Sequence, residues 1–141
     1  MQNKWIKDFI MWFTGGTIYF FLEIIARGYS HYSMFICGGL CFLLVGKMSR
    51  KISGIQISNN KYLNKVLRYL ICVTTGGVII TLLEFVTGLI FNVCFHMGVW
   101  DYSNMKYNFM GQICLEYSML WIILSAVIKK IYDDISQFIF E

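Results

Sequence analysis

Four long apolar stretches divide this 141-residue chain, and each approaches the ~20 residues that an α-helix needs to cross a bilayer. They cover residues 9–26, 31–46, 69–95 and 109–128. The chain has no proline, and only 14% of its residues are charged, whereas a soluble domain carries about 25%. So few charges cannot cover a water-facing surface. The sequence therefore predicts an all-α polytopic membrane protein with a single transmembrane domain over 1–141, and it excludes a soluble enzyme, a disordered tail and a disulfide-rich secreted scaffold.

The lengths of the connecting segments predict how the four spans pair. A short turn joins the first two spans, the polar segment 47–68 separates the second from the third, and 96–108 joins the last two. The third span would be about 40 Å long and the second about 24 Å, against a hydrocarbon core of about 30 Å. We therefore expect two helical hairpins, with the third span tilted or protruding.

The basic residues predict the orientation, because short loops rich in Lys and Arg stay on the cytoplasmic side. Two of the twelve, Arg27 and Lys106, lie at the predicted outer turns. The other ten lie at the opposite ends of the spans: Lys4, Lys7, Lys47, Arg50, Lys51, Lys61, Lys65, Arg68, Lys129 and Lys130. We expect a multi-pass protein of the cell membrane with both termini and the basic loop 47–68 in the cytoplasm. The first span lacks a small-residue cleavage site, so we interpret it as retained.

The two predicted hairpins carry similar residues at matching spacing. A Gly-Gly pair, five further residues and a Leu-Glu pair occur in both the first and third spans: Gly15-Gly16 with Leu22-Glu23, and Gly76-Gly77 with Leu83-Glu84. Tyr-Ser pairs precede the second and fourth spans, at Tyr29-Ser30 and Tyr102-Ser103. Because both Gly-Gly spans would run outward, this pattern favours two tandem parallel repeats over chance recurrence.

Three glutamates interrupt otherwise uncharged spans: Glu23, Glu84 and Glu116. A charged group at membrane depth costs about 2.5 to 3.5 kcal/mol on insertion scales, so each needs a partner or a wet cavity. Glu23 lies four residues before Arg27, which predicts an ion pair on one helical face.

Helical spacing also places polar residues beside these glutamates. On a fourth helix beginning at residue 109, Asn108, Gln112 and Glu116 would recur every four residues on one face. We expect these stripes to line a polar funnel that opens outward, with Arg27 and Asp101 at its rim. The candidate ligand-binding residues are Glu23, Arg27, Glu84, Asp101, Asn108, Gln112 and Glu116. The alternative is an interhelical polar network without a ligand, for example Glu84 with Gln112.

Several partners and cofactors are not indicated by the sequence. The five cysteines, at 37, 41, 72, 94 and 114, include no CxxC or Cys/His cluster, so we expect packing residues rather than a metal site. No phosphate-binding loop is present, and we expect no cofactor. A net charge of +4 is too small to indicate nucleic acid binding, and the basic segment 47–68 is more typical of attraction to anionic lipid at the cytoplasmic face.

Three blocks in the second half resemble a known family. They are Glu84-Phe85-Val86-Thr87-Gly88, then Trp100-Asp101-Tyr102-Ser103, then Asn108-Phe109-Met110-Gly111-Gln112-Ile113-Cys114-Leu115. Together they resemble the CmpB-type ABC transporter permease family, in the compact form found in Firmicutes and their phages. The resemblance extends to Tyr19-Phe20-Phe21-Leu22-Glu23 and Arg27-Gly28-Tyr29-Ser30-His31. It implies a membrane transport component, although 47–68 lacks the Glu-Ala-Ala-type segment through which importers engage an ATPase.

The favoured hypothesis is a small membrane protein that either only binds, or binds and translocates, a small polar solute, an ion or a lipid headgroup through the outward-facing polar site. The alternative is a non-transporting structural or regulatory protein, such as a phage-type factor or partner subunit, that acts through the basic loop. Enzymatic activity is not indicated, because no nucleophile and base occur at a recognisable spacing. The pairs Gly15-Gly16 and Gly38-Gly39 would suit either a homo-oligomer interface or close packing within one chain.

Overall fold

The computed structural model describes residues 3–140 and consists mainly of four α-helices. Helices α1, Lys4–Arg27, and α2, Tyr32–Ser53, form the first hairpin. Helix α3, Lys61–Gly88, continues into a π-helical turn, Leu89–Cys94, and α4 covers Leu115–Phe140. Between the π-helical turn and α4, strand β1, Asn108–Phe109, pairs antiparallel with strand β2, Ile113–Cys114. The all-α prediction is thus confirmed except for this small β-hairpin.

Local capping sets the helix boundaries in the first half and at the start of α3. Gly28 ends α1 with a left-handed backbone, φ 80°, and its N–H bonds to the Ile24 carbonyl, which is the usual way to terminate a helix. The Asn60 side chain accepts from the backbone N–H groups of Tyr62 and Leu63, both at 3.0 Å, and so begins α3. His31 begins α2 by accepting from the Ser33 N–H at 3.2 Å.

Glycines bring the helices into close contact. A Cβ on Gly39 would lie 2.6 Å from the Trp12 carbonyl oxygen, so the backbones of α1 and α2 come into close contact at this point. A Cβ on Gly77 would lie 2.8 Å from Cα of Ile122, which places α3 equally close to α4. Small residues at helix interfaces allow the backbones to approach in this way. The sequence-predicted Gly-Gly pairs therefore pack within the chain, and a homo-oligomer stays a prediction.

The outer surface is apolar, as expected for helices in contact with lipid. Large apolar side chains are exposed on every helix, including Phe9, Ile25, Leu82 and Ile123. Three helical segments are long and apolar enough to cross a membrane: Lys4–Arg27, Tyr32–Ser53 and Lys61–Cys94. In α4 the uncharged stretch 117–128 measures about 18 Å at 1.5 Å per residue, shorter than the ~30 Å core. The fourth span and the tandem repeat therefore remain predictions.

The predicted start of the fourth helix is wrong. Residues 109–114 form a tight hairpin instead of a helical turn, with positive φ at Met110, 54°, and Gly111, 69°. The Asn108 side chain accepts from the Gly111 N–H at 3.0 Å and donates to the Met105 carbonyl at 2.7 Å. Asn side chains that bond to nearby backbone compete with helix formation in this way. Asn108, Gln112 and Glu116 consequently do not form one helical stripe.

The predicted basic loop 47–68 is also mostly helical. Helix α2 continues to Ser53 and α3 begins at Lys61, so only 54–60 connects them. Hydropathy marks the part of a helix that lies in lipid, and it does not mark the end of the helix. Within the described residues, the basic side chains in this segment therefore lie mainly on helical extensions of α2 and α3.

Candidate functional site

A cavity of about 70 Å³ lies among the four helices, towards the side where α1 faces α4. Its walls are almost entirely apolar, and they include aromatic and sulfur-containing side chains. Glu84 of α3 is the charged residue among those that line it. The lining residues include Tyr19 from α1, Met34, Cys37 and Cys41 from α2, and Trp121 from α4.

Two neutral donors hold the Glu84 carboxylate. The Trp121 indole N–H donates to Oε2 at 2.8 Å, and the Tyr102 hydroxyl donates to Oε1 at 2.8 Å. Glu84 is 5% exposed. In residues 3–140 no Lys, Arg or His pairs with it. A carboxylate can accept about four hydrogen bonds, so two further acceptor positions are unused by these donors.

Tyr102 reaches Glu84 from the segment that joins α3 to α4. Its ring stacks on Tyr117 with centroids 4.9 Å apart and planes at 14°. Its backbone N–H bonds to the Gly111 carbonyl at 2.8 Å, which fixes it against the β-hairpin. Burial, and then the neighbouring Glu84, raise the pKa of Tyr102 well above its ordinary value, so the phenol stays protonated and donates.

A hydrogen-bonded network holds the hairpin on the C-terminal end of α3. The Asn92 amide donates to Gln112 Oε1 at 2.9 Å and to the Trp100 carbonyl at 3.1 Å. The Trp100 indole N–H donates to the Gln112 carbonyl at 2.9 Å. Gly88 lies beneath this group, because a Cβ there would come within 2.5 Å of Gln112 Oε1 and 3.1 Å of the Trp100 ring. Gln112 is therefore a structural partner of Asn92 and does not bond to Glu84.

Glu23 has a different environment from Glu84. Arg27 donates to its Oε1, as the i,i+4 spacing predicts, and Ser30 Oγ donates to Oε2 at 2.6 Å. Glu23 is buried near the C-terminal end of α1, and its charge is balanced within the chain. This ion pair lies next to the turn between α1 and α2.

The remaining predicted site residues lie away from the cavity. Glu116 is exposed in the first turn of α4, so the prediction that it faces the bundle interior is wrong. Asp101 is exposed in the turn before the hairpin, where the Ser103 hydroxyl and N–H bond to its carboxylate and lower its pKa. Asn108 belongs to the hairpin turn. Within residues 3–140, the structure thus brings Glu84 alone of the seven predicted residues to the cavity.

Sequence reasoning missed several residues that build this site. Trp121 and Tyr102, the donors to Glu84, were not among the candidate residues predicted from the sequence. A Trp or Tyr deep in an apolar region usually has a partner for its polar end, and that was the available signal. Cys37 and Cys41 were interpreted as packing residues and Met34 was given no role, although the i, i+3, i+7 spacing of Met34, Cys37 and Cys41 places all three on one face of α2.

A family model matches residues 10–141, nearly the whole chain, and its description is "Putative ABC-transporter type IV", ABC_trans_CmpB. The chain belongs to this family. No solved structure matches the chain. In this CmpB-type protein the three sequence blocks that carried the resemblance meet in space: Glu84 bonds to Tyr102, and Gly88 packs beneath Trp100 and Gln112. The blocks therefore build a single unit, whose Tyr102 contacts the Glu84 carboxylate.

Proposed function

We propose that this protein is the membrane component of an ABC-type transporter, and that it binds a small cation in the cavity beside Glu84 and moves it across the bilayer. The observation that carries the proposal is the partnering of Glu84. This carboxylate is almost fully buried, it lines the cavity, and within residues 3–140 it is paired with two neutral donors and no basic side chain.

A buried carboxylate in lipid requires a compensating positive charge or a proton. In Glu23 the chain supplies that charge itself through Arg27. To Glu84 the chain supplies only hydrogen bonds, which stabilise the negative charge without cancelling it. The cavity is therefore the place from which a counter-ion reaches Glu84. This contrast between the two glutamates favours a binding role for Glu84 and a structural role for Glu23.

The position of Tyr102 also supports entry of the cation to Glu84 from the predicted outer side of the membrane. Tyr102 belongs to the connection predicted to lie outside the membrane, and its hydroxyl contacts the same carboxylate that lines the cavity. Movement of the hairpin would remove one of the two donors and uncover Oε1. We propose that the hairpin acts as the outer cover of the cation site and that opening it admits the ion.

Reconstituted vesicles test this function. Vesicles containing the 141-residue chain should take up one or more of K⁺, tetramethylammonium and Ag⁺, given as nitrates, faster than empty vesicles. Glu84→Gln should lose that uptake because an amide carries no charge. Glu116→Gln is the matched control, because Glu116 is exposed at the start of α4 and its replacement should leave uptake unchanged. Uptake that is equal with Glu84→Gln, or absent throughout, would contradict the proposal.

The cytoplasmic ends of α2 and α3 favour a second, accessory role in binding anionic lipid. Three of the basic side chains are used internally: Lys47 pairs with Asp8, Arg50 with Asp133, and Arg68 donates to the Ser53 carbonyl. Lys61 and Lys65 are exposed beside Tyr62, which is 78% exposed. Exposed lysines beside an aromatic ring are typical of a membrane interface, where each basic residue contributes about 1 kcal/mol of attraction to anionic lipid. Replacing Lys61 and Lys65 by Gln should weaken the retention of anionic lipid by the purified protein, whereas equal retention would contradict this role.

A further inference from the structure

Three sulfur-containing residues line the same cavity as Glu84. Cys37 and Cys41 lie one helical turn apart on α2, and Met34 lies one turn before Cys37. All three line the cavity, and each is 6% exposed. The α2 wall of the cavity therefore contains two cysteines and one methionine.

We infer that the cation taken by this cavity is a soft monovalent metal ion of the Cu(I) class, held by the sulfurs of Cys37, Cys41 and Met34. This inference rests on the proposed function and specifies its substrate. Thiolate and thioether ligands select Cu(I) over hard cations, which prefer oxygen. Within residues 3–140 no group of three His, Cys, Asp or Glu side chains is placed to hold a metal ion, so the donor set proposed here is the two cysteines together with the Met34 thioether.

The charge of the cavity favours a monovalent ion. Glu84 is the charged residue among those lining it, so one ionised carboxylate balances one positive charge, while a divalent ion would leave a net positive charge in an apolar site. When the metal binds, the S–H bond of one cysteine breaks, an S–metal bond forms and the released proton passes to the Glu84 carboxylate. The total charge of the occupied site is then zero, and no change of oxidation state is involved.

Silver ion is a suitable first probe because it is soft and monovalent and needs no reductant. The full chain in lipid nanodiscs should bind about one equivalent of Ag⁺ in competition with a soluble thiol chelator, and X-ray absorption should show sulfur neighbours. Cys37→Ser combined with Cys41→Ser should weaken Ag⁺ binding by at least about 100-fold. Losing a group that only hydrogen-bonds to a metal ligand already lowers metal affinity by about 10- to 100-fold. Met34→Leu, which preserves side-chain volume, should weaken it by about 10-fold.

Cys72→Ser is the matched control, because Cys72 is also buried but bonds to Ser49 away from the cavity. This variant should bind Ag⁺ as the unmodified chain does. Absence of Ag⁺ binding by the unmodified chain, or equal binding by the Cys37/Cys41 and Met34 variants, would overturn the inference. If K⁺ or tetramethylammonium uptake were still lost with Glu84→Gln, the proposed function would survive while the metal assignment failed.

Discussion

The indole N–H of Trp121 donates a 2.8 Å hydrogen bond to the carboxylate of Glu84, joining α4 to α3 across 37 residues of sequence. Both side chains are buried, and both line the cavity. The bond holds the carboxylate in place without neutralising it. The proposed cation site needs this property, because an internal Lys or Arg would occupy the position that the ion takes.

Trp121→Phe should destabilise the protein by about 2 kcal/mol, because a hydrogen bond to a charged group is lost while an aromatic ring is retained. Thermal unfolding in detergent with Glu84 intact measures this effect. Trp5→Phe is the control, since Trp5 is 86% exposed and the same change there should be nearly neutral. Equal stability of the two variants would show that the Trp121–Glu84 bond does not contribute to stability.

Gly39→Ala should destabilise the α1–α2 hairpin by about 1 to 3 kcal/mol, the usual range for overpacking. The added Cβ would lie 2.6 Å from the Trp12 carbonyl oxygen, which is backbone and cannot rotate away. Gly54→Ala is the control, because its nearest atom would be the Lys51 carbonyl oxygen at 3.5 Å. Unfolding temperatures that shift equally in both variants would contradict the close α1–α2 contact.

The turn around Asp101 should loosen only in strong acid. Bonds from the Ser103 hydroxyl and N–H depress the Asp101 pKa below its ordinary value of 3.8. A depressed carboxyl pKa means that the turn is stabilised above the ordinary pKa and loses that stabilisation as pH falls through the folded-state value. The Ser103 amide resonance should therefore titrate with a midpoint below 3.8.

Ser103→Ala separates the two bonds to Asp101. It removes the hydroxyl and keeps the backbone N–H, so the Asp101 midpoint, followed through the residue-103 amide, should move up towards 3.8. A midpoint that is unchanged by this substitution would mean that the hydroxyl does not contribute to the shift.

Cysteine labelling in cells should establish the orientation and the fourth span. In a Cys94→Ser background, a membrane-impermeant maleimide should label Asn104→Cys in intact cells, because the outer connection carries few basic residues. Asn59→Cys, at an exposed position between α2 and α3, and Gln137→Cys should react only after permeabilisation. Labelling of Gln137→Cys in intact cells would show that α4 does not cross the membrane.

The helical architecture could be predicted from the sequence because it depends on long apolar runs, and family membership could be predicted from the three motif blocks. The β-hairpin could not be predicted, because 109–114 is apolar enough to extend a helix. The hairpin forms instead because Asn108 bonds to the Gly111 N–H and because Met110 and Gly111 adopt left-handed backbone conformations. The site was only partly predictable. Glu84 was visible as a charge in a span, whereas its partners Tyr102 and Trp121 lie 18 and 37 residues away and meet it only through tertiary packing.

The central claim is that Glu84 takes its counter-ion from the cavity, and infrared difference spectroscopy of the chain in nanodiscs tests it directly. Adding Ag⁺, K⁺ or tetramethylammonium nitrate should shift the carboxyl bands of a buried glutamate for at least one of these cations. We predict that Glu84→Gln abolishes that shift and that Glu116→Gln preserves it. A cation-induced shift that persists in Glu84→Gln, or no shift with any of the three cations, would contradict the account.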